Sequence, residues 1–410
     1  MSPEGAQTHA LLIALVGGGV VAATVIKTLF NRGGLPPLIG YLLLGFFLSA
    51  ADDYWGLMTP PIRYAFGLLA DVGITALLFR VGLDSHPGKL MEKLPRASFI
   101  WTGDIAVSAL AGFAAAFWLL DVSLIPSLIL ATALTATSLG VAVPPWQEVG
   151  ALDSPTGQLL VDVGELDDLS GVALMALLLT VVPLLREGGA IPPWVIGQSM
   201  GLFALKLAGF AGFCYLFSRY VEAPVTHRAA LLEPAPGHML TVTGVGLLIA
   251  ALGGWLGFSL AIGALFAGLT FSRDPEAVRT EANFQDLYEF FVPFFFIGIG
   301  LQMDPVFLGE GLGIGGLLLL VTVLAKVVGV GLPAWLASGA GGAALIGVSM
   351  VPRAEITMVI MDQGRRLGDW AVPPGVYAAA VVVTAGTCLI TPLFLRPLLN
   401  RLQPQFEEEP

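Results

Sequence analysis

Val161-Asp162-Val163-Gly164-Glu165-Leu166-Asp167-Asp168-Leu169-Ser170-Gly171 lies inside an otherwise apolar run over residues 155–184. A helix crossing a lipid bilayer needs roughly 20 apolar residues, and this run supplies them. Each charge at the centre of such a span costs on the order of 3 kcal/mol on insertion scales. Two adjacent aspartates at that depth are hard to explain by packing, and they mark a site. Successive helical residues differ by about 100° around the axis, so Asp167 and Asp168 meet different neighbours. Glu165 precedes Asp168 by one turn and shares nearly its face. Asp162 lies further out.

The rest of the chain has the same character. Of its 410 residues, 56% are apolar and 12% charged, with a mean hydropathy of +0.84. A soluble domain carries about 25% charged residues, so the composition is that of a membrane protein. The net charge of −11 argues against a nucleic-acid partner. Cys214 and Cys388 both fall in apolar runs and suit neither a disulfide framework nor a zinc site. The first run, His9 to Phe30, has no positive leader and its basic residues Lys27 and Arg32 come late, which predicts a retained span rather than a signal peptide.

Apolar runs divide the chain into thirteen segments, at 9–29, 35–50, 61–83, 97–120, 123–146, 155–184, 192–218, 235–253, 256–272, 284–302, 310–336, 339–364 and 373–399. The predicted class is an all-α polytopic membrane protein, one transport domain over 1–410. Its loops are too short for a soluble regulatory domain, and a short acidic tail, 402–410, ends it. One set of loops and ends holds Lys27, Arg32, Lys89, Lys93, Arg96, Arg219, Arg228, Arg273, Arg279, Arg396 and Arg401. The other holds Arg63, Arg186, Arg365 and Arg366. The excess places the first set in the cytoplasm, with the N-terminus outside and the C-terminus inside.

An internal repeat is visible. Leu35-Pro36-Pro37-Leu38-Ile39-Gly40, then Gly45 and Ser49, matches Phe258-Ser259-Leu260-Ala261-Ile262-Gly263, then Gly268 and Ser272. One span later, Phe79-Arg80-Val81-Gly82-Leu83 matches Ile297-Gly298-Ile299-Gly300-Leu301. The copies stand an odd number of spans apart, so they run in opposite directions. Such repeats place a binding site near the midplane, where broken helices meet.

Two spans have the composition of broken helices. In the fifth, Leu134-Thr135-Ala136-Thr137-Ser138-Leu139-Gly140 gathers hydroxyls where freed backbone groups need partners. In the twelfth, Met350-Val351-Pro352-Arg353-Ala354-Glu355 puts a proline, an arginine and a glutamate together. A local Arg353–Glu355 ion pair is the simplest expectation there. Lys326, central in the eleventh span, is the expected partner of a buried aspartate. Asp71, Arg80 and Asp104 are read as a structural cluster of the third and fourth spans, and Lys206 as interfacial. His86, His227 and His238 fall in or near loops. There is no phosphate loop, zinc spacing or hydrolase triad, so no cofactor and no enzymatic activity are expected.

Together and in order, Leu77-Leu78-Phe79-Arg80-Val81-Gly82-Leu83-Asp84, Leu134 to Ser138, Asp167-Asp168, Pro293-Phe294-Phe295-Phe296-Ile297-Gly298-Ile299-Gly300-Leu301-Gln302, Lys326 and Met350 to Glu355 carry a specific resemblance. The chain resembles bacterial monovalent cation/proton antiporters of the NhaA-type fold, in the branch of NapA-like sodium/proton antiporters and Kef-like potassium efflux systems, over about residues 9–400. The resemblance implies a homodimer in the bacterial cytoplasmic membrane. Each subunit would have dimer and core parts interleaved in sequence, with two crossed discontinuous helices in the core. It implies that Asp168 binds the ion, that Asp167 partners Lys326, and that Thr137 and Ser138 line the ion site. Arg353 and Glu355 support the second break, where Ala354 replaces a glycine. Glu165, Arg80 and Asp104 depart from the family pattern.

The implied mechanism is electrogenic Na⁺/H⁺ exchange, extending to Li⁺. Na⁺ would bind Asp168 with help from Asp167, and Lys326 would then leave Asp167 and lose its proton. K⁺/H⁺ exchange is the alternative, and an ion channel or sensor on the same scaffold the reading from another class. Adjacent aspartates lack the geometry of an intramembrane protease.

Overall fold

The computed structural model describes residues 3–85, 87–186, 193–222, 224–225, 239–272 and 284–406. His86, His227, His238, Arg228, Arg273, Arg279 and the acidic end 407–410 lie outside the described residues. In lipid, backbone polar groups must pair internally, and an apolar run does so by closing each N–H onto its own helix. The chain accordingly folds into α1 (Pro3–Arg32), α2 (Pro37–Trp55), α3 (Pro60–Asp84), α4 (Pro87–Ala114), α5 (Leu124–Ala133), α6 (Leu139–Glu148) and α7 (Pro155–Arg186). It continues with α8 (Pro193–Tyr220), α9 (Met239–Trp255), α10 (Leu260–Thr270), α11 (Phe284–Leu301), α12 (Leu308–Ser349), α13 (Glu355–Arg366) and α14 (Pro374–Phe406). No strand occurs among the described residues. Seven of the described helical stretches are long and apolar enough to cross a bilayer.

Two segments are interrupted, as the sequence predicted. Residues 134–138 separate α5 from α6, and residues 350–354 separate α12 from α13. The eleventh and twelfth segments, expected to be separated, are two helices that meet without a loop inside the 42-residue stretch α12. Straight, it would extend about 63 Å, twice the hydrocarbon thickness. It turns at Gly339, whose φ of 72° and ψ of −175° suit a residue without a Cβ. The arm after the turn, 340–349, and the 12-residue α13 lie on the two sides of the second break.

The helices form two compact units, interleaved in sequence. The first comprises Met1–Leu29, Gly40–Pro87 and Glu187–Gln302, the second Phe30–Ile39, Gly88–Arg186 and Met303–Pro410. In the first unit the repeat glycines carry the helix contacts. A Cβ on Gly45 would overlap the Ile297 carbonyl and the Gly300 Cα, and one on Gly268 would overlap the Phe79 carbonyl and the Gly82 Cα. Gly45 and Gly268 are equivalent in the repeat, as are Gly300 and Gly82, so the two contacts are reciprocal. Small residues let backbones touch in this way, and van der Waals packing holds membrane helices together. Gly268→Ala and Gly45→Ala are each expected to lower stability by about 1–3 kcal/mol through overpacking. Thermal melting in detergent checks this, and similar losses are expected for both.

Within the second unit, Trp146 is fully buried among Ala97, Ile100, Leu160 and Leu345. Its indole N–H donates to Ser349 Oγ at 2.9 Å. This bond ties α6 to the end of α12 just before the second break.

Candidate functional site

All the polar residues singled out along the fifth, sixth, eleventh and twelfth segments fall in the second unit. Their arrangement follows from the needs of broken helices. The last carbonyls of α5 have no partners within their own helix. Ala133 O accepts from Thr357 Oγ1 at 2.9 Å. Thr135 O accepts from Lys326 Nζ at 2.7 Å and from Arg353 Nη1 at 3.5 Å. Ala136 O accepts a short bond from Arg353 Nη1. Two cations thus sit on the negative end of a helix, where they are favoured.

The second break is served in return by the first. Ser138 N–H donates to Pro352 O at 2.9 Å, and Thr137 Oγ1 donates to Met350 O at 3.3 Å. α14 supplies the remainder: Arg353 N–H donates to Thr387 Oγ1 at 3.0 Å, and Cys388 S–H donates to Arg353 O at 3.4 Å. Glu355 opens α13 and accepts from Ser138 Oγ, the residue that precedes α6, at 2.5 Å. One carboxylate therefore faces the positive starts of two helices. The expected local Arg353–Glu355 pair is not formed among the described residues. Each side chain reaches across to the first break, because the bare helix ends there offer better partners than a neighbour in sequence.

Asp167 and Asp168 separate as the helical geometry predicted. Asp167 is fully buried and Asp168 is half-buried. Asp168 is within electrostatic reach of Asp167, Glu355, Glu165 and Lys326. Glu165, the extra acid of this helix, is thus part of the surroundings of Asp168. Asp167 lies against Thr137 and Lys326, at the end of the first break. The Lys326 ammonium is 3.5 Å from Asp167 Oδ2.

The tighter partner of Lys326 is Asp104. Both Asp104 oxygens lie 2.6 Å from Lys326 Nζ, and both side chains are fully buried. The cluster of Asp104 with Asp71 and Arg80 is corrected by this contact. Arg80 belongs to the first unit and engages Asp84 at 3.6 Å, Gln285 at 3.1 Å and the ring of Tyr288. Sequence proximity suggested the cluster, whereas helix packing decides the partner. Gly103 and Gly329 allow that packing, since a Cβ on Gly103 would crowd the Gly329 carbonyl at 2.7 Å. They flank Asp104 by one residue and Lys326 by one turn, which was the available signal.

Thr137 lies at the first break beside Asp167. Its hydroxyl accepts from Lys326 Nζ at 2.8 Å and Arg353 Nη1 at 3.1 Å, joining the two cations. Ser138 is engaged with Glu355. Lys206 is exposed and donates to Leu256 O at 3.3 Å. Among the described residues no three of His, Cys, Asp and Glu converge as a ready metal cage.

Comparison with known proteins agrees with this architecture. The family profile described as "Sodium/hydrogen exchanger, transmembrane" matches residues 20–401. The chain is 28% identical to the high-affinity Na⁺/H⁺ antiporter NhaS3 of Synechocystis, over 94% of its own length and 83% of that protein. It is 24% identical to a Na⁺/H⁺ antiporter of Enterococcus hirae, over 92% and 95% of the two chains. It is 27% identical to the glutathione-regulated potassium-efflux protein KefC of Salmonella typhimurium over 73% of its length, but spans only 46% of that protein. The solved structure of the sodium/proton antiporter MjNhaP1 from Methanocaldococcus jannaschii shares the fold, with a TM-score of 0.64, 15% identity and coverage of 98% and 100%.

Proposed function

We propose, on the premise that the chain belongs to the sodium/hydrogen exchanger family, that it exchanges Na⁺, and Li⁺ in its place, for H⁺ by alternating access at Asp168. The family is one of multi-pass membrane transporters, which move monovalent cations against protons. The observation that carries the reading is a half-buried carboxylate, Asp168, with Asp167, Glu165 and Glu355 within electrostatic reach and Lys326 as the counter-charge. A carboxylate largely out of water holds either a proton or a small hard cation, whose natural ligands are oxygens. Competition for one group, exposed alternately to each side, is sufficient for exchange.

The other parts of the reading are consistent with this. Asp167 is assigned beside Asp168, and Lys326 and Arg353 hold the helix ends on which the carboxylates depend. Thr137 and Ser138 contribute hydroxyl oxygens once the site rearranges around Na⁺. The reciprocal glycine contacts support inverted repeats, and the meeting of the breaks at Ser138 and Pro352 supports crossed helices. We assign the protein to a bacterial cytoplasmic membrane as a homodimer, with its N-terminus outside and C-terminus inside. Exchange of more than one proton per Na⁺ makes it electrogenic, and an inward proton gradient drives Na⁺ out.

Proteoliposomes with an imposed pH gradient and a fluorescent pH probe test the reading. Adding Na⁺ or Li⁺ is expected to dissipate the gradient, K⁺ much less, and a collapsed membrane potential to change the rate. Preference for K⁺ would assign the chain to the potassium-exchanging alternative. Cation current without proton coupling would make it a channel.

A further inference from the structure

We propose that Asp104 is the fixed counter-ion of Lys326, and that it thereby leaves Asp167 free to act with Asp168 as the ion-carrying pair. The proposal deepens the antiport reading and rests on it. An ammonium group has three N–H donors and no acceptor. Lys326 has three partners within 2.8 Å: the Asp104 carboxylate at 2.6 Å, Thr135 O at 2.7 Å and Thr137 Oγ1 at 2.8 Å. All three are closer to the ammonium than Asp167, whose Oδ2 stands 3.5 Å away and whose nearer neighbour is Thr137 at the first break.

Asp104 is held where it is. Ser108 Oγ donates to Asp104 Oδ1 at 3.1 Å, and the Gly103–Gly329 approach fixes α4 against α12. Lys326 is held in turn by the carbonyl end of α5, which favours a cation. Asp104 and Lys326 neutralise each other as a unit. The charge of Asp167 is then left for the cargo, a proton or Na⁺. This changes the role expected for Lys326, which becomes a stationary cation rather than a group released and deprotonated on each cycle.

Asp104 is a positioning residue in this scheme, and Asp104→Asn tests it. Without its counter-ion, Lys326 would turn to Asp167 and compete with Na⁺. The KM for Na⁺ in proteoliposomes is expected to rise about 10-fold, as for loss of groups that orient metal ligands. The maximal rate should fall far less, and Asp104→Glu should recover most of the KM. A purely structural role would reduce the amount of active protein and leave KM unchanged, so an unchanged KM overturns the proposal. Should Asp104→Asn fail to accumulate, Asp104→Asn combined with Lys326→Gln decides. A pair that folds where the single variant does not supports the assignment, and failure of both overturns it. Absence of Na⁺-dependent proton flux in the unaltered protein would instead overturn the antiport reading itself.

Discussion

Asp168→Asn is expected to reduce Na⁺-driven proton flux in proteoliposomes to the level of empty vesicles. Asparagine keeps the size of aspartate and much of its hydrogen bonding, but it neither binds an exchangeable proton nor offers a negative charge to Na⁺. Asp168 is the half-buried member of the adjacent pair, whereas Asp167 is sealed from solvent. The acids around Asp168 do not substitute for it, because Glu355 is engaged by Ser138 at the start of α6. The fold should survive, since removing one of several clustered negative charges relieves repulsion among them. The measurement is flux at matched protein amounts, with melting in detergent as the control. A variant that melts normally and exchanges Na⁺ at the unaltered rate would place the ion site elsewhere. Glu165→Gln gives the useful contrast. It is expected to leave exchange in place and shift its dependence on Na⁺ concentration, because the negative charge of Glu165 acts on Asp168.

Much of this site was legible because lipid makes polar residues conspicuous. Asp167-Asp168, Lys326 and the Met350–Glu355 stretch stand out in apolar runs, and each lies where the structure breaks a helix or buries a charge. The breaks were readable from hydroxyls, proline and paired charges within a few residues. The pairing of those charges was not readable. Asp104 and Lys326 are 222 residues apart, and Arg353 reaches Ala136 across 217. Periodicity places a side chain on a face of its own helix, and it carries no information about which face of which other helix lies opposite. Hence Asp104 was grouped with Arg80 because of their nearness in sequence, and Arg353 with Glu355 for the same reason. The boundary between the eleventh and twelfth segments was legible, because Ser338-Gly339-Ala340-Gly341 has the composition of a break and the helix does break at Gly339. One glycine with a positive φ makes the break there without a loop.

Arg353→Met is expected to destabilise the protein more than any other single change considered. Arg353 is fully buried, and one of its nitrogens, Nη1, serves Thr135 O, Ala136 O and Thr137 Oγ1. Methionine fills similar space but donates nothing, so the Ala136 carbonyl at the end of α5 would lose its donor. A buried acceptor left bare costs about 1–3 kcal/mol. The charge balance worsens as well. Among the described residues Lys326 and Arg353 are the buried cations at the breaks, and losing one leaves Asp104, Asp167, Asp168 and Glu355 with less compensation nearby. Against this stands relief of the burial of Arg353 itself, whose Nε and Nη2 make no hydrogen bond among the described residues. That relief is the smaller effect, because the guanidinium sits on the negative end of α5, where its charge is used. Arg353→Lys separates the two contributions. It keeps the charge but replaces the planar fork by a single ammonium on a shorter reach, so it should restore the charge balance and recover only part of the carbonyl bonding. Melting temperatures in detergent are expected to fall in the order unaltered protein, Arg353→Lys, Arg353→Met. Equal losses for the two variants would assign the effect to the hydrogen bonds alone. A methionine variant as stable as the unaltered protein would mean that the breaks are held together by packing, with Arg353 retained for transport.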